Sequence, residues 1–332
     1  MGIQSARRCF LPLGVLCALV TLAAPVSARA AERIVFATDW KAQAEQGGFY
    51  QALAEGLYAA RGLDVQIRQG GPAVNVPQLL AAGAVDFGLA SNSFIPMNMV
   101  EAGAPVRAVM ASFQKDPQVL ITHKRTDVKS LADLKGKPIM VSDAAIGAYW
   151  GWLRAKYAFD DSQIRKYTNN LAPFLVNPKA VQQGYITSEP YLITRETKEE
   201  PQLFLLADNG YPSYAALVLV PDSWIAKKPK LVQAFVDATI LGWRHYLRGD
   251  PKAGNARIKA DNPEMTDDVL AQAIEKMRAY HLVEGDGGHI GEMTDARWKD
   301  FFEVMSAQSV YPKTLDYKRA YTLSFVSPKA AP

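Results

Sequence analysis

The feature that most constrains this chain is the order of its apolar patterning. Short buried runs alternate with helix-length segments through the first two thirds, and from Pro221 to Gln308 only helical periodicity is left. Such alternation builds strand–helix–strand units whose helices cover a parallel sheet. Residues 34–38 form an unbroken apolar run of the kind a buried parallel strand shows. Residues 47–60 then bring Phe49, Leu53 and Leu57 onto one helical face, Gly62 ends that segment, and 65–68 alternates as a second strand. A short helix opened by Asn75 and Pro77, a strand over 86–90, and a helix capped within Ser91-Asn92-Ser93 continue the pattern as far as Gly103 and Pro105. Strands are expected over 106–111, 119–122 and 138–142, with Ser130-Leu131-Ala132-Asp133 resembling a capping box. A helix over 145–158, a strand over 185–188, a helix over 189–195 and strands over 203–206 and 215–220 complete the first part. Breaks at Gly249-Asp250-Pro251, Asn262-Pro263 and the glycine-rich stretch 284–291 divide the helical block that follows.

The fold class is therefore α/β. The 332 residues exceed what one hydrophobic core usually organises, so two lobes are expected, each a mainly parallel sheet flanked by helices. No fixed-period repeat, low-complexity run or Pro/Gly/Ser-rich linker separates two beads, which leaves crossing strands as the connection.

Residues 1–30 read as a cleavable secretory signal: Arg7 and Arg8 form a basic start, residues 9–22 are mostly apolar, and Ala28-Arg29-Ala30 offers small residues for cleavage. The Arg7-Arg8 pair resembles the twin-arginine export motif, with Pro12 where a lysine is common; Leu16 before Cys17 argues against a lipoprotein anchor. Both of the 2 cysteines, Cys9 and Cys17, lie in this segment, so disulfides, thiol nucleophiles and cysteine metal sites leave with it. Three of the 37 basic residues leave too, and the remaining 34 face 33 acidic ones. A near-neutral exported chain argues against a nucleic-acid or membrane-surface role.

Catalytic motifs are not found. Residues around Ser91 lack the glycines of a nucleophile elbow, and Leu134-Lys135-Gly136-Lys137-Pro138 lacks the first glycine and the hydroxyl of a phosphate loop. His281, Glu284, Asp286 and His289 match no zinc spacing, and His123 and His245 stand apart from any nucleophile. No metal or cofactor is expected. The strand ends are more informative, because in open α/β sheets they face a common crevice. Ser91, Asn92 and Ser142 stand at helix starts after strands, as less clearly do Gly48 and Glu189; unpaired backbone N–H groups there can bind acceptors, or these residues can be ordinary caps. Trp40 follows the first strand directly and offers a stacking platform or a packing residue beneath the next helix. Tyr50, Phe113, Tyr149, Trp150, Tyr191, Tyr211 and Tyr214 lie in comparable connections.

Several of these stretches together resemble the periplasmic solute-binding proteins of thiamine-precursor, nitrate, sulfonate and taurine importers. They are Asp39-Trp40, Gly48-Phe49-Tyr50, Ala54-Glu55-Gly56-Leu57-Tyr58, Gly62-Leu63-Asp64-Val65, residues 80–88 and residues 130–137. The resemblance implies a type II periplasmic-binding-protein fold with a ligand cleft between lobes, placed at 31–111 plus 219–332 and at 112–218, with hinge strands near 111–114 and 214–218. It implies a monomeric periplasmic receptor that performs no chemistry and delivers a small solute to an ABC-transporter permease driven by a separate ATPase. Asp39-Trp40 looks most like the branch that binds the pyrimidine moiety of thiamine. That branch commonly has an apolar residue and proline after the tryptophan and a histidine before the helix, where this chain has Lys41-Ala42 and Gln46. The ligand set this implies is Asp39 and Glu189 accepting from amines, Trp40 stacking, Ser91, Asn92 and Ser142 with their helix N–H groups binding acceptors, Tyr191 and Tyr214 closing the far side, and Gly48, Tyr50 and Phe113 nearby. An oxyanion receptor using Lys41, Arg107 or Lys115, a pyrimidine-synthesising enzyme of the related fold, and a sensor module remain as other readings.

Overall fold

The computed structural model describes residues 1–2, 30–168 and 170–326. The expectations for the signal segment concern residues outside this range, apart from its ends. Among the described residues no helix is long and apolar enough to cross a membrane.

Ten strands are present among the described residues: β1 (Glu32–Ala37), β2 (Leu63–Arg68), β3 (Phe87–Asn92), β4 (Val106–Phe113), β5 (Gln118–Thr122), β6 (Ile139–Val141), β7 (Ile164–Lys166), β8 (Val181–Tyr185), β9 (Gln202–Leu205) and β10 (Ala215–Pro221). They form two five-stranded sheets, ordered β2-β1-β3-β10-β4 and β7-β6-β8-β5-β9. In the first, β1 pairs in parallel with β2 and β3, while β10 runs antiparallel to β3 and β4. In the second, β6 pairs in parallel with β7 and β8, while β5 runs antiparallel to β8 and β9. The sheets are thus more mixed than expected. The reason is the crossing: the chain enters the second sheet through 114–117 and returns through 206–214, so the entering and returning strands, β5 and β10, run against their neighbours.

Alternation along the central strands explains the layers. Leu217 and Leu219 join one core cluster and Val218 and Val220 the other, so both faces of β10 are covered. The edge strand β2 buries Leu63 and Val65 and exposes Asp64, Gln66 and Arg68. The helix Pro229–Arg248 covers one face of the first sheet, setting Phe235 against Phe36 and Phe87 at 5.3 and 5.1 Å between rings. The helix Asp295–Ala307 lies with the other cluster, where Phe301 meets Phe94 at 4.9 Å.

Three local expectations differ. The helix anticipated over 145–158 is a short helical turn, Asp143–Ala145, then a π-helical turn, Ile146–Trp150, then the helix Gly151–Tyr157. The strand anticipated at 185–188 lies earlier, at Val181–Tyr185, because Gln182 and Gln183 carry ladder positions that hydropathy reads as polar. The edge strand β7, Ile-Arg-Lys, has no apolar run to announce it.

Helix Gly47–Ala54 packs on Pro229–Arg248 unusually closely. A Cβ at Gly48 would lie 2.2 Å from the Trp243 ring, and one at Gly242 would lie 2.3 Å from the Gly48 carbonyl oxygen and 2.7 Å from the Ala52 Cβ. Backbone cannot yield as a flexible side chain can. Gly242→Ala is therefore expected to destabilise the protein by about 1–3 kcal/mol, visible as a thermal midpoint several degrees lower; an unchanged midpoint would refute this close approach.

Candidate functional site

The chain leaves β1 as Thr38-Asp39-Trp40 and is pinned at once. Thr38 Oγ1 and the Gly70 N–H donate to the Trp40 carbonyl at 2.8 and 3.0 Å. The Ala42 N–H donates to Gln69 Oε1 at 3.0 Å, and Asn262 Nδ2, from the helical block, donates to the Ala42 carbonyl at 2.8 Å. This holds the 3-10 turn Ala44–Gln46, in which Glu45 is 5% exposed. At the end of β3, Ser91 Oγ donates to Asp39 Oδ2 at 2.6 Å.

The second sheet supplies the opposing groups. Thr187, just past β8, donates its hydroxyl to Glu45 Oε1, and Gln272 Nε2 donates to the Thr187 carbonyl at 2.6 Å. Glu189 begins the helix Glu189–Thr197; its carboxylate accepts from the Tyr185 N–H at 2.8 Å and from the Tyr167 hydroxyl at 3.2 Å. Tyr149 is fully buried on the π-helical turn, a feature frequent at functional sites.

Asp39, Glu45 and Glu189 all titrate above the ordinary carboxylate range. Burial is the largest cause for each, outweighing the bonds from Ser91, Thr187 and Tyr185; the negative charges of Glu189 and Asp39 push Glu45 up further. Burial, then Asp116, Asp39, Glu45 and Glu189, drives the Tyr185 phenol well above its usual value. Tyr149 is raised by burial and then by Asp116 and Glu189. Asp116, on the first crossing, is pushed by burial to about 7 despite accepting from the Gln118 N–H at 3.1 Å. The Arg297 guanidinium opposes that rise, but it is held by the Pro212 and Ser213 carbonyls at 3.1 and 2.8 Å and lies 4.0 Å above the Tyr214 ring. Among the described residues no basic side chain forms an ion pair with Asp39, Glu45 or Glu189. Asp39 Oδ1, Gln46 Oε1 and Tyr149 Oη are buried and have no hydrogen-bond partner among the described residues. Buried polar atoms are normally paired, so these three are groups a bound molecule can engage. Ionised, the carboxylates accept from N–H donors; protonated, they donate.

Of the residues expected from sequence, the structure brings Asp39, Ser91 and Glu189 into this cluster, with half-buried Trp40 adjoining it in the chain. Asn92 and Ser142 serve locally: Asn92 Oδ1 accepts from the Phe94 N–H at 3.1 Å and Ser142 Oγ from the Ala145 N–H at 3.2 Å. Tyr191 donates to Asp268 at 2.6 Å, tying two helices at the surface. The Tyr214 oxygen accepts from the Thr294 N–H at 3.0 Å on the second crossing. Gly48, Tyr50 and Phe113 lie apart from this cluster. Gly48 and Phe113 lie against Trp243 in the core, and Tyr50 turns the other way to donate to Asp261 at 2.8 Å, because helix Gly47–Ala54 directs its buried face at the helical block. Sequence reasoning missed Glu45, Thr187, Tyr185 and Asp116, and read Tyr149 only as one of several loop aromatics. A buried glutamate in a polar-looking turn has no pattern that separates it from a surface one.

These elevated carboxylates have a stability consequence. At these groups the folded protein keeps protons that the unfolded chain releases, so their contribution to stability is greatest below the unfolded carboxylate values near 4 and is lost as pH rises through the folded ones, up to about 7 for Asp116. The thermal midpoint of the ligand-free protein is expected to fall between pH 5 and 8, and Asp116→Asn to flatten the upper part of that fall. A midpoint that rises over this interval in calorimetry would contradict it.

The chain matches the family model described as NMT1/THI5 like over residues 43–253. The riboflavin-binding protein RibY of Chloroflexus aurantiacus is 22% identical over 318 residues, covering 91% of this chain and 88% of that protein. The formylaminopyrimidine-binding protein of Halalkalibacterium halodurans is 23% identical over 301 residues, covering 84% and 86%. Among solved structures, the periplasmic aliphatic sulphonate-binding protein SsuA of Escherichia coli superposes with a TM-score of 0.67 at 15% identity, over 91% of this chain and 96% of that one. The desulfurization enzyme DSZB superposes at 0.55 and 12% identity, over 89% and 98%. The structural likenesses establish the periplasmic-binding-protein fold, on which receptors and at least one enzyme are built. With the family model spanning most of its length and the two-sheet α/β architecture in place, the chain belongs to the NMT1/THI5-like family.

Proposed function

We propose that this protein is the solute receptor of an ABC importer, capturing a small heteroaromatic molecule between two lobes and delivering it to a membrane permease powered by a separate ATPase. The lobes are 31–111 plus 219–332 and 112–218, closing about the crossings that contain Asp116 and Tyr214. The protein is exported to the periplasm by its first thirty residues and carries out no reaction on the solute. Trp40 stacks on the ring, and Asp39 and Glu189 accept hydrogen bonds from ring or exocyclic N–H groups.

The observation that carries this reading is the row of carboxylates between the two sheets, Asp39, Glu45 and Glu189, with no basic ion-pair partner among the described residues. Such a site repels sulfonate, nitrate or phosphate and favours N–H donors. The bases that an oxyanion receptor would use are engaged elsewhere: Lys41 with Glu264 at 2.9 Å, Arg107 with Asp222 at 2.8 Å, and Lys115 with Asp286 at 3.2 Å. The ligands named for two relatives, riboflavin and a formylaminopyrimidine, are both heteroaromatic, which supports the ring.

Thermal shifts against 4-aminopyrimidines, flavins, aliphatic sulfonates, taurine and nitrate test the proposal. A ligand at a hundred times its Kd adds about 2.7 kcal/mol, so the aminopyrimidines are expected to raise the midpoint clearly, and Trp40→Ala to weaken their binding at least tenfold. A shift with sulfonates or nitrate alone, or turnover of the ring compound by the isolated protein, would overturn it.

A further inference from the structure

We propose that the helix Asp267–Ala279 carries a latch between the two lobes: Asp268 and Gln272 reach Tyr191 and Thr187 of the second lobe, and these bonds slow solute release without touching the solute. This rests on the receptor reading above and adds to it what holds the lobes shut. Among the described residues, the hydrogen bonds between 31–111 plus 219–332 and 112–218 fall into two groups. One lies on the crossings and the start of β10, where the Gln114 and Lys115 N–H groups donate to the Leu282 carbonyl at 2.7 and 3.0 Å and Arg297 holds Pro212 and Ser213. Bonds at a pivot survive rotation about it. The other group lies apart from both crossings. Tyr191 Oη donates to Asp268 Oδ2 at 2.6 Å, Gln272 Nε2 to the Thr187 carbonyl at 2.6 Å, and the Thr187 hydroxyl to Glu45. Separation of the lobes breaks all three.

Both halves of the latch stand on anchored elements with matching spacing. Leu270, Ala273, Ile274 and Met277 bury one side of the helix Asp267–Ala279 in the core, and Asp268 and Gln272, four residues apart, share another side. On the facing segment Thr187 and Tyr191 are also four apart, before and within the first turn of the helix Glu189–Thr197, whose Pro190 and Ile193 are buried. The two pairs therefore meet in step. They are unequal in strength. Thr187 is 1% exposed, so without Gln272 its carbonyl would be left unpaired out of water. Tyr191 and Asp268 meet at the surface, where solvent weakens an interaction. Bonds from Thr266 and Tyr191 hold Asp268 at about 2, so at neutral pH the phenol donates to a carboxylate.

Thr187 joins the latch to the site. Its hydroxyl meets Glu45 and its carbonyl meets Gln272, so the first lobe grips one residue of the second from two directions. Bonds made only with the lobes together stabilise the closed form, and their loss appears in the rate at which solute leaves rather than in the encounter. Asp268 and Gln272 are thus positioning residues, and Tyr191 acts on the opposite lobe.

Two measurements on the same variants test the latch. No cysteine occurs after residue 30, so Ala256→Cys and Val176→Cys, one exposed position on each lobe, carry spin labels that report lobe separation. Stopped-flow binding of 4-amino-5-hydroxymethylpyrimidine gives the rates. Tyr191→Phe and Asp268→Ala are each expected to speed release about threefold, the size a partly exposed pair supports. Combined, they are expected to do no more than either alone, since they remove one bond. Gln272→Leu, which strands the Thr187 carbonyl, is expected to speed release about tenfold. Association is expected to stay within about twofold throughout. The variant combining Tyr191→Phe with Gln272→Leu is expected to show a larger population at long label separation than the parent. Unchanged release and an unchanged separation overturn the latch and leave the receptor intact. If the parent fails to bind the pyrimidine, the receptor reading falls for this ring, and the label separations of parent and variant without solute still decide the latch: a shift to longer distance upholds it, and identical distributions overturn it.

Discussion

The hydrogen bond from Thr187 to Glu45 is the contact on which the rest of the site depends. It joins a turn that follows the first strand of one sheet to a residue just past the third-ranked strand of the other, and it does so through a carboxylate that is almost wholly out of water. Burying an ionised carboxylate costs several kcal/mol unless a partner compensates. Here the partners are hydroxyls and backbone N–H groups rather than a lysine or arginine. The carboxylates Asp39, Glu45 and Glu189 therefore hold their protons more tightly than usual.

The fold gives stability elsewhere to hold such a cluster in place. Gly47, Gly48 and Gly242 let helices Gly47–Ala54 and Pro229–Arg248 approach until the rings of Trp243 and Tyr246 touch backbone, which fixes the turn carrying Glu45 from behind. Asn262 ties the same loop to the helical block, and Arg297 clamps the second crossing through the Pro212 and Ser213 carbonyls. The late helical part of the chain is thus more than a cover for the first sheet: it anchors both the acidic turn and the segment that returns from the second sheet to the first.

Much of the architecture was legible because it follows from periodicity. The buried run before Thr38, the Gly62 turn and the helical block beyond Pro221 all report their structure through spacing alone. What was lost was lost for physical reasons. The strand β8 presents Gln182 and Gln183, polar residues whose place in a ladder only tertiary pairing reveals, and β7 is an edge strand of three residues with two charges. At the site, Asp39 and Ser91 were legible as strand ends, and Glu189 as a helix start. Glu45, Thr187 and Tyr185 were not, since each acquires its role from groups far away in sequence. Gly48, Tyr50 and Phe113 lie apart from the cluster for the converse reason: the side each faces is decided by the C-terminal helices, and Phe113 stands on a β4 that runs two residues past the strand expected over 106–111.

The proposed receptor holds its solute against Asp39, Glu45 and Glu189, between the two sheets. A crystal structure of the protein soaked with a 4-aminopyrimidine would locate that solute. Ring density is expected beside Trp40, with a ligand nitrogen within hydrogen-bond distance of Asp39 Oδ1 and a second donor on Glu189 or Glu45. Density for the ring at another place, such as the groove lined by Arg33, Tyr50 and Arg257, with the acidic cluster untouched, would contradict it.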